Sequence, residues 1–530
     1  MESQTTLLFL LLLGSLLSYA HGEDLFSCLS DGGVTNITTS YTPDYLHLLV
    51  ASNQNLRFTK PNVNKPIAVV LPENKNQVGT AIQCSRKWSC EIRLRSGGHS
   101  YEGLSSIADG PFVIIDLMNL NQVSVHLESE TAWVEGGATL GEVYHAIAMS
   151  SKHHGFSAGL CSTVGSGGHF SGGGYGALVR KYGLAADNVV DVILVDSNGD
   201  LLDRESMGEE VFWAIRGGGG GNWGAVVGWK IRLLRVPGTV TVFLIRKSVT
   251  TSQGARLWHK WQLVAPELDD DFFLQVVINP QTSNRTNTIS FTFMGSYLGP
   301  TASALATINK AFPELGVTMQ DCKEMSWVEG IIYVRADPNV NTVADLKRRF
   351  SYQKAFSKSK ADYVRSPIPV AGLEGALDML AKQSKASLIL DPYGGINNRI
   401  RSDAIAFPHR VGNLYAIEYF VDWEEEDGRS SEYLDGIRKL YEYMGPFVSV
   451  GPRALYVNNV DLDLGVIDWS DCNMHGFKAV EVARAWGEKY FLGNYDRLVR
   501  AKTSIDPNNV FRHPQSIPPL AYREGRVYCP

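Results

Sequence analysis

The sequence predicts an α+β protein of two domains, and three observations carry that expectation. The chain has 530 residues, too long for one ordinary domain. From about Pro66 to Val236, short β-type runs recur between Gly, Asn and Asp turn signals. From about Pro237, longer strand-like runs alternate with helix-like ones, the pattern of a sheet covered by helices.

Taken in order, the elements begin with a targeting segment. Leu7 to Leu17 form an apolar run of signal-peptide length, and Ala20-His21-Gly22 supplies small residues suited to cleavage. The run is too short to span a bilayer, and no later stretch reaches the roughly 20 apolar residues a span needs. The first domain then reads as "IAVVLP", "EIRLRS", "FVIIDL", "TAWVEG", "VVDVILVD" and "AVVGWKIRLL", with "TLGEVYHAIAMSS" as a helix. "DSNGD", Asp196 to Asp200, marks a hairpin. The second domain opens on "TVTVFLIRK", "FFLQVVIN" and "TISFTFMGSYLG". Helices "TASALATINKAF" and "GLEGALDMLAK" and the strand "LYAIEYFVDW" follow. The end is helical, through "AVEVARAWGEKYF" and "NYDRLVRAKTSID".

Composition narrows the function classes. Hydrophobic residues make up 44% and charged residues 20%, so a packed core is expected. The net charge of −6, without long single-sign runs, lacks the basic stripe of a nucleic-acid binder. Seven cysteines in a secretory context form a pairing problem with one left over. Asn36 and Asn284 begin N-x-S/T sequons that fit glycosylation in that compartment.

Glycine clusters surround two reactive side chains. "RSGGHSYEG" runs from Arg95 to Gly103 around His99, and "GLCSTVGSGGHFSGGGYG" runs from Gly159 to Gly176 around Cys161. A metal site is one reading, but His153, His154, Cys161 and His169 follow no zinc spacing, and no metal is expected. A Cys-His protease would need a context missing here. Turn glycines with an incidental His and Cys are the bland alternative. "GGGNWG", Gly219 to Gly224, satisfies G-x-G-x-x-G, yet a helix-like run precedes it and a strand-like run follows. That order is the reverse of a dinucleotide fingerprint. No P-loop pattern occurs. These glycines instead permit close backbone approach to a ligand.

The two histidine and cysteine motifs together resemble the paired flavin-attachment motifs of the plant berberine bridge enzyme family. The resemblance continues through "FWAIRGGGGGNWGAVV", "DPYGGINNRI", "FPHRVGNLYAIEYFVDW" and "LYVNNVDLDLG", and ends in "KYFLGNYDRLVRAKTSIDPNNVFRHPQSIPPL". It covers about Phe26 to Leu520 and implies a PCMH-type FAD-binding fold. A separate substrate domain would be built on an antiparallel sheet with helices. The implied limits are a signal peptide over 1–22 and an FAD domain over 23–236, with its core at about 62–236. A substrate domain over 237–455, a returning C-terminal segment over 456–520 and a tail over 521–530 complete the chain.

Carried over residue by residue, the resemblance implies FAD held by two covalent bonds, His99 to the 8α carbon and Cys161 to C6. Arg95, Ser96, Gly97, Gly98, Ser100, Val164, Gly165, Gly168, His169, Gly174, Tyr175 and Asn458 would form the rest of the cofactor site. His169 would serve the pyrimidine side and Val164 would tune oxygen access. Cys28 with Cys84 matches the family disulfide, leaving Cys90, Cys322, Cys472 and Cys529 unassigned. Glu418 matches the base of the namesake enzyme, and a carboxylate in a partly apolar cleft suits that task. Tyr101 and Tyr393 fall near the flavin. Relatives often have Tyr-Arg where this chain has Asn459-Val460, which makes Glu418 the stronger base and places Asn459 at the reacting centre.

The implied function is a secreted flavoprotein oxidase of plant specialised metabolism. Hydride would pass from a phenolic or alkaloid-type substrate to FAD, with oxidative ring closure in the namesake reaction, and O2 would return as H2O2. Two readings stand beside it: an oxidase of prenylated phenols, monolignols or carbohydrates, and a flavin-containing scaffold for a non-redox cyclisation or cycloaddition. A secreted binding protein or allergen without turnover is the bland one. The partners expected are a small-molecule substrate and O2, with no nucleic acid and no membrane span, in a monomer or weak dimer. The destination is the apoplast, or a vacuole or ER-derived vesicle.

Overall fold

A computed structural model of the chain describes residues 25–281, 288–335, 337–350, 354–424, 428–471 and 473–520. The apolar leader, Asn284, Cys472, Cys529 and the 521–530 tail lie outside the described residues. The architecture is mixed α+β, as the strand and helix pattern predicts.

Two sheets build the first half. In the four-stranded sheet, Ala68–Val70 and Glu91–Arg95 both run parallel to Phe112–Asp116, and Ile37–Thr38 closes one edge. Parallel strands need a crossover, supplied here by helix Lys75–Lys87, whose N-cap Asn74 accepts from the Gln77 amide. Cys28 and Cys84 form a disulfide that ties helix 25–31 to this crossover. The five-stranded sheet is antiparallel, ordered Val123–His126, Thr131–Glu135, Ala225–Arg232, Val189–Val195 and Leu201–Leu202. Its last two strands are joined by the Asp196–Asp200 turn, where Asp196 accepts from the amides of Asn198 and Asp200. Helix Leu140–Ser150 starts at a Thr139/Glu142 capping box and buries Val143, Tyr144 and Ile147.

The second half is one antiparallel sheet of seven strands. Their order is Cys322–Met325, Val240–Thr250, Thr288–Tyr297, Phe272–Gln281, Ala386–Pro392, Tyr415–Trp423 and Phe356–Val364. Helices Thr251–Val264, Val370–Leu380 and Ser430–Met444 cover one face, with Trp258, Trp261, Leu377 and Leu440 packed on Tyr415, Ile417 and Tyr419. Because side chains alternate along a strand, Ala416, Glu418 and Phe420 point to the opposite face. That face looks back toward the first half. The C-terminal helices Gly476–Phe491 and Tyr495–Ile505 share a core with Ala132, Val134 and Trp229, so the end of the chain closes on the first half.

Strand Phe356–Val364 reads as polar, and sequence patterning does not predict it. It is nevertheless buried, with Lys358 only 2% and Lys360 3% exposed. Lys358 Nζ donates to Glu102 and, at 2.7 Å, to Asp461, while Lys360 Nζ donates to Asp461 and to Asp463. Arg438 binds Asp463 through two bonds of 2.9 Å. Burial works against the Lys358 charge, but Glu102 and Asp461 outweigh it and its pKa is raised. Three distant segments are pinned at one point: the loop after Glu91–Arg95, this strand, and the 459–463 turn.

Lys358→Met leaves Glu102 and Asp461 buried without their shared cation. Asp461 keeps Lys360 and Glu102 keeps Arg57 at 3.8 Å, so a loss of about 3 kcal/mol, the low end for removing one partner of a buried ion pair, is expected. Thermal unfolding measures it, and Lys358→Arg is expected to lose less.

Candidate active site

The cavity between the two halves has a volume of about 1350 Å³. That exceeds the roughly 300–1,000 Å³ typical of a single-ligand pocket, leaving room for a cofactor and a substrate together. Its walls come from the His99 loop, the Cys161 loop, the Gly219–Gly221 turn, the open face of the seven-stranded sheet and the 456–460 segment.

Glycine brings the two motif loops into contact. A Cβ on Gly97 would lie 2.2 Å from the Gly165 nitrogen, so no other residue permits this approach. The result is a meeting of side chains. His99 Nε2 shares a 2.9 Å hydrogen bond with Thr163 Oγ1, and Cys161 Sγ lies 3.5 Å from the same oxygen. Burial, with Arg335 and Lys354 nearby, pushes the His99 pKa down to about 4, so its imidazole is neutral at physiological pH.

His169 sits in the helical turn Ser166–Ser171. Its Nε2 accepts from the Gly159 amide at 2.9 Å, which fixes the tautomer and leaves the proton on Nδ1. Burial holds its pKa down at about 4. Asn458 Nδ2 donates to the His169 carbonyl and to the Tyr456 hydroxyl. That hydroxyl also accepts from the Gly174 amide at 2.8 Å.

The residues facing the cavity suit a dinucleotide. The backbone amides of Gly98, His99 and Ser100 find no acceptor among the described residues. Arg95 is tied to Asp116 through Nε at 2.7 Å, while its Nη1 and Nη2 are buried without partners. Such donor-only groups match phosphate oxygens. A Cβ on Gly168 would meet nothing within 4 Å, so backbone there opens onto space. Every residue expected from the sequence at the cofactor or reacting centre lines the cavity except Gly174, which acts behind it through Tyr456.

On the sheet side, Glu418 is the centre of a small network. Ser359 Oγ donates to its Oε1 at 2.8 Å, and the Tyr101 and Asn459 side chains stand close enough to lower its pKa. Burial raises its pKa, and Tyr101, Ser359 and Asn459 moderate the rise without cancelling it. Tyr101 is pushed well above its ordinary value by burial and by the Glu418 charge, so it remains a phenol that donates. Such a carboxylate can take a proton from a substrate hydroxyl.

Asp391 is a second acid in the cavity. In the sheet register it pairs with Ala416 while Ile389 pairs with Glu418, so both carboxyls share one face. Burial raises its pKa to about 7, the Gln275 hydrogen bond lowers it, and the Glu418 charge adds to the rise. Asp391, Gln275, Ser359, Thr163 and Tyr456 were not among the residues singled out from sequence. Thr163 and Asp391 lie inside motifs that were, whereas Ser359 carries no local signal.

Comparison with known proteins agrees with this geometry. Residues 66–204 match the FAD binding domain family, and residues 455–518 match the family described as berberine and berberine like. A reticuline oxidase of Eschscholzia californica is 50% identical over 528 residues, covering 98% of this chain and 97% of its own. Berberine bridge enzyme-like D-2 of Nicotiana tabacum is 52% identical over 533 residues, covering 97% and 94%. The structure of berberine bridge enzyme from Eschscholzia californica superposes with a TM-score of 0.91 at 50% identity, covering 94% of this chain and 100% of that one. Fold and cavity therefore define an FAD-dependent oxidoreductase with a PCMH-type FAD-binding fold. The chain belongs to the berberine bridge enzyme family.

Asp391 yields a pH test of this cavity. In the unfolded chain its carboxyl ionises near its ordinary value of 3.8, but in the folded protein only near 7. Between those values the folded state holds a proton that the unfolded state has released, so this group's contribution to stability falls as pH rises. Asp391→Asn is expected to flatten the decline of Tm from pH 4 to 7 relative to the parent protein.

Proposed function

We propose that this chain is a secreted oxidase of plant specialised metabolism that carries FAD on His99 and Cys161 and oxidises a phenolic or alkaloid-type substrate. The observation that carries the reading is Glu418, half-buried, hydrogen-bonded to Ser359 and flanked by Tyr101 and Asn459, on the wall opposite the two attachment residues. When bound, FAD supplies a two-electron acceptor that dioxygen can restore with release of H2O2.

The residues divide the remaining work. Glu418 takes the substrate proton, and Ser359, Tyr101 and Asn459 hold its carboxylate in place. Where the substrate phenol stands beside an N-methyl group that gives up a hydride to the two-electron acceptor, removal of the phenol proton makes the ring carbon a nucleophile, which bonds the methyl carbon and then loses its own proton. His169, with its proton on Nδ1, is a donor suited to a developing negative charge. Arg95 and the Gly98–Ser100 amides hold the pyrophosphate. Val164 lines the cavity as the small residue through which oxygen approaches.

The secretory destination is supported by the Cys28–Cys84 disulfide and by the exposure of Asn36 in its sequon. No described helix is long and apolar enough to cross a membrane. The protein acts as a monomer or weak dimer. A second reading, a flavin-shaped scaffold for a non-redox cyclisation, rests on Asn459 and Val460, which stand where relatives often have Tyr-Arg.

A screen coupled to peroxide detection, covering benzylisoquinoline alkaloids, prenylated phenols, monolignols and oligosaccharides, identifies the substrate class. With the substrate found, Glu418→Gln is expected to lower kcat by roughly 10²–10⁴-fold. The acid limb of kcat/KM in the parent protein is expected above the ordinary carboxylate range and absent from the variant. Anaerobic substrate should bleach the flavin; product formed without bleaching selects the scaffold.

A further inference from the structure

Among the described residues, His99 and Cys161 have one hydrogen-bonding side chain in common, and it is neither a base nor an acid. Thr163 is 7% exposed, and its hydroxyl stands 2.9 Å from His99 Nε2 and 3.5 Å from Cys161 Sγ. Its position is fixed by the fold. The Cys161–Val164 turn is closed by the Val164 amide on the Cys161 carbonyl, and a Cβ on Gly97 would sit 3.0 Å from the Thr163 carbonyl. A hydroxyl is at once a donor and an acceptor, so it can receive a proton on one side while giving one on the other.

We propose that Thr163 is the proton shuttle of cofactor attachment, joining the two nucleophiles so that each can release its proton at the cavity wall. The inference rests on the bicovalent reading. When Thr163 accepts from Nε2–H, the lone pair of His99 is on Nδ1, and that atom forms the bond. Attachment at His99 makes the Nδ1–C8α bond and breaks one methyl C–H bond. Attachment at Cys161 makes the Sγ–C6 bond and breaks the C6–H bond. Each event releases the nucleophile's proton and the carbon's proton and leaves the C–H electron pair on the ring. One dioxygen, the oxidant of the proposed activity, takes those two electrons and two protons as H2O2. After alkylation at Nδ1, His99 Nε2 carries a lone pair. It can then accept the Thr163 proton as Thr163 takes the proton of the Cys161 thiol.

The test reads adducts rather than turnover. Parent protein, Thr163→Val and Thr163→Ser are produced with their natural flavin, denatured and digested, and the peptides holding His99 and Cys161 are weighed. Thr163→Val keeps the shape and removes the hydroxyl. It is expected to retain FAD in the native state, attach it to both His99 and Cys161 roughly 100-fold more slowly, and leave the Cys161 thiol open to alkylation after denaturation. Thr163→Ser is expected to restore both adducts. If Thr163→Val does not accumulate, Thr163→Ala is read in the same way. A hydroxyl-free variant with both adducts at the parent extent overturns the shuttle. A parent protein without adducts overturns the attachment reading itself.

Discussion

The site depends first on a buried ionic cluster behind it. Glu102 follows Tyr101, Lys358 precedes Ser359, and Asp461 lies two residues beyond Asn459, so each partner of Glu418 is attached to a member of the cluster. Side chains from positions 101, 359 and 459 can meet one carboxylate only if their backbones are held together. The lysines do this where no regular element links the three segments. Exposed ion pairs are too weak for such a task, but these groups are almost wholly shielded, and Asn55 reinforces them by donating to the Tyr101 and Ser357 carbonyls.

A second constraint is steric. The motif loops touch where only glycine fits, which is why His99 and Cys161 share one hydroxyl despite belonging to separate elements. The sheet adds a third. Strand Tyr415–Trp423 buries its odd-numbered residues under the helices, so its even-numbered ones must line the cavity. Displacing this strand by one residue would exchange Glu418 for Ile417 or Tyr419 and leave the cavity without its base.

These constraints also separate what was legible in the sequence from what was not. Local patterns were readable: the 196–200 hairpin, the capped helix at Leu140, the long antiparallel strands and the helices that cover them. The motif glycines were readable because their cause is local and steric. Strand Phe356–Val364 was not, since "FSKSKADYV" has the composition of a solvated segment. Its lysines are buried because carboxylates far along the chain neutralise them, and composition does not encode that meeting. Ser359 was missed with its strand. Gly174 was placed at the cofactor because its neighbours are there, but its contribution passes through Tyr456, nearly 300 residues later.

The cavity is electrostatically divided, and the division explains how one space can serve two ligands. The wall carrying the motif loops offers donors without protein acceptors: amides, two guanidinium nitrogens and a histidine whose proton is fixed on Nδ1. The sheet wall offers acceptors, Glu418 and Asp391, with raised pKa values and no arginine or lysine among the causes of either shift. An anionic dinucleotide is drawn to the first wall, and a substrate bearing a hydroxyl proton finds its acceptors on the second, where Arg246 also lines the cavity. The Glu418 charge on the same face adds to the rise that leaves Asp391 partly protonated near neutral pH. Orientation of the reacting partners therefore follows from where each half of the fold leaves its unpaired polar groups.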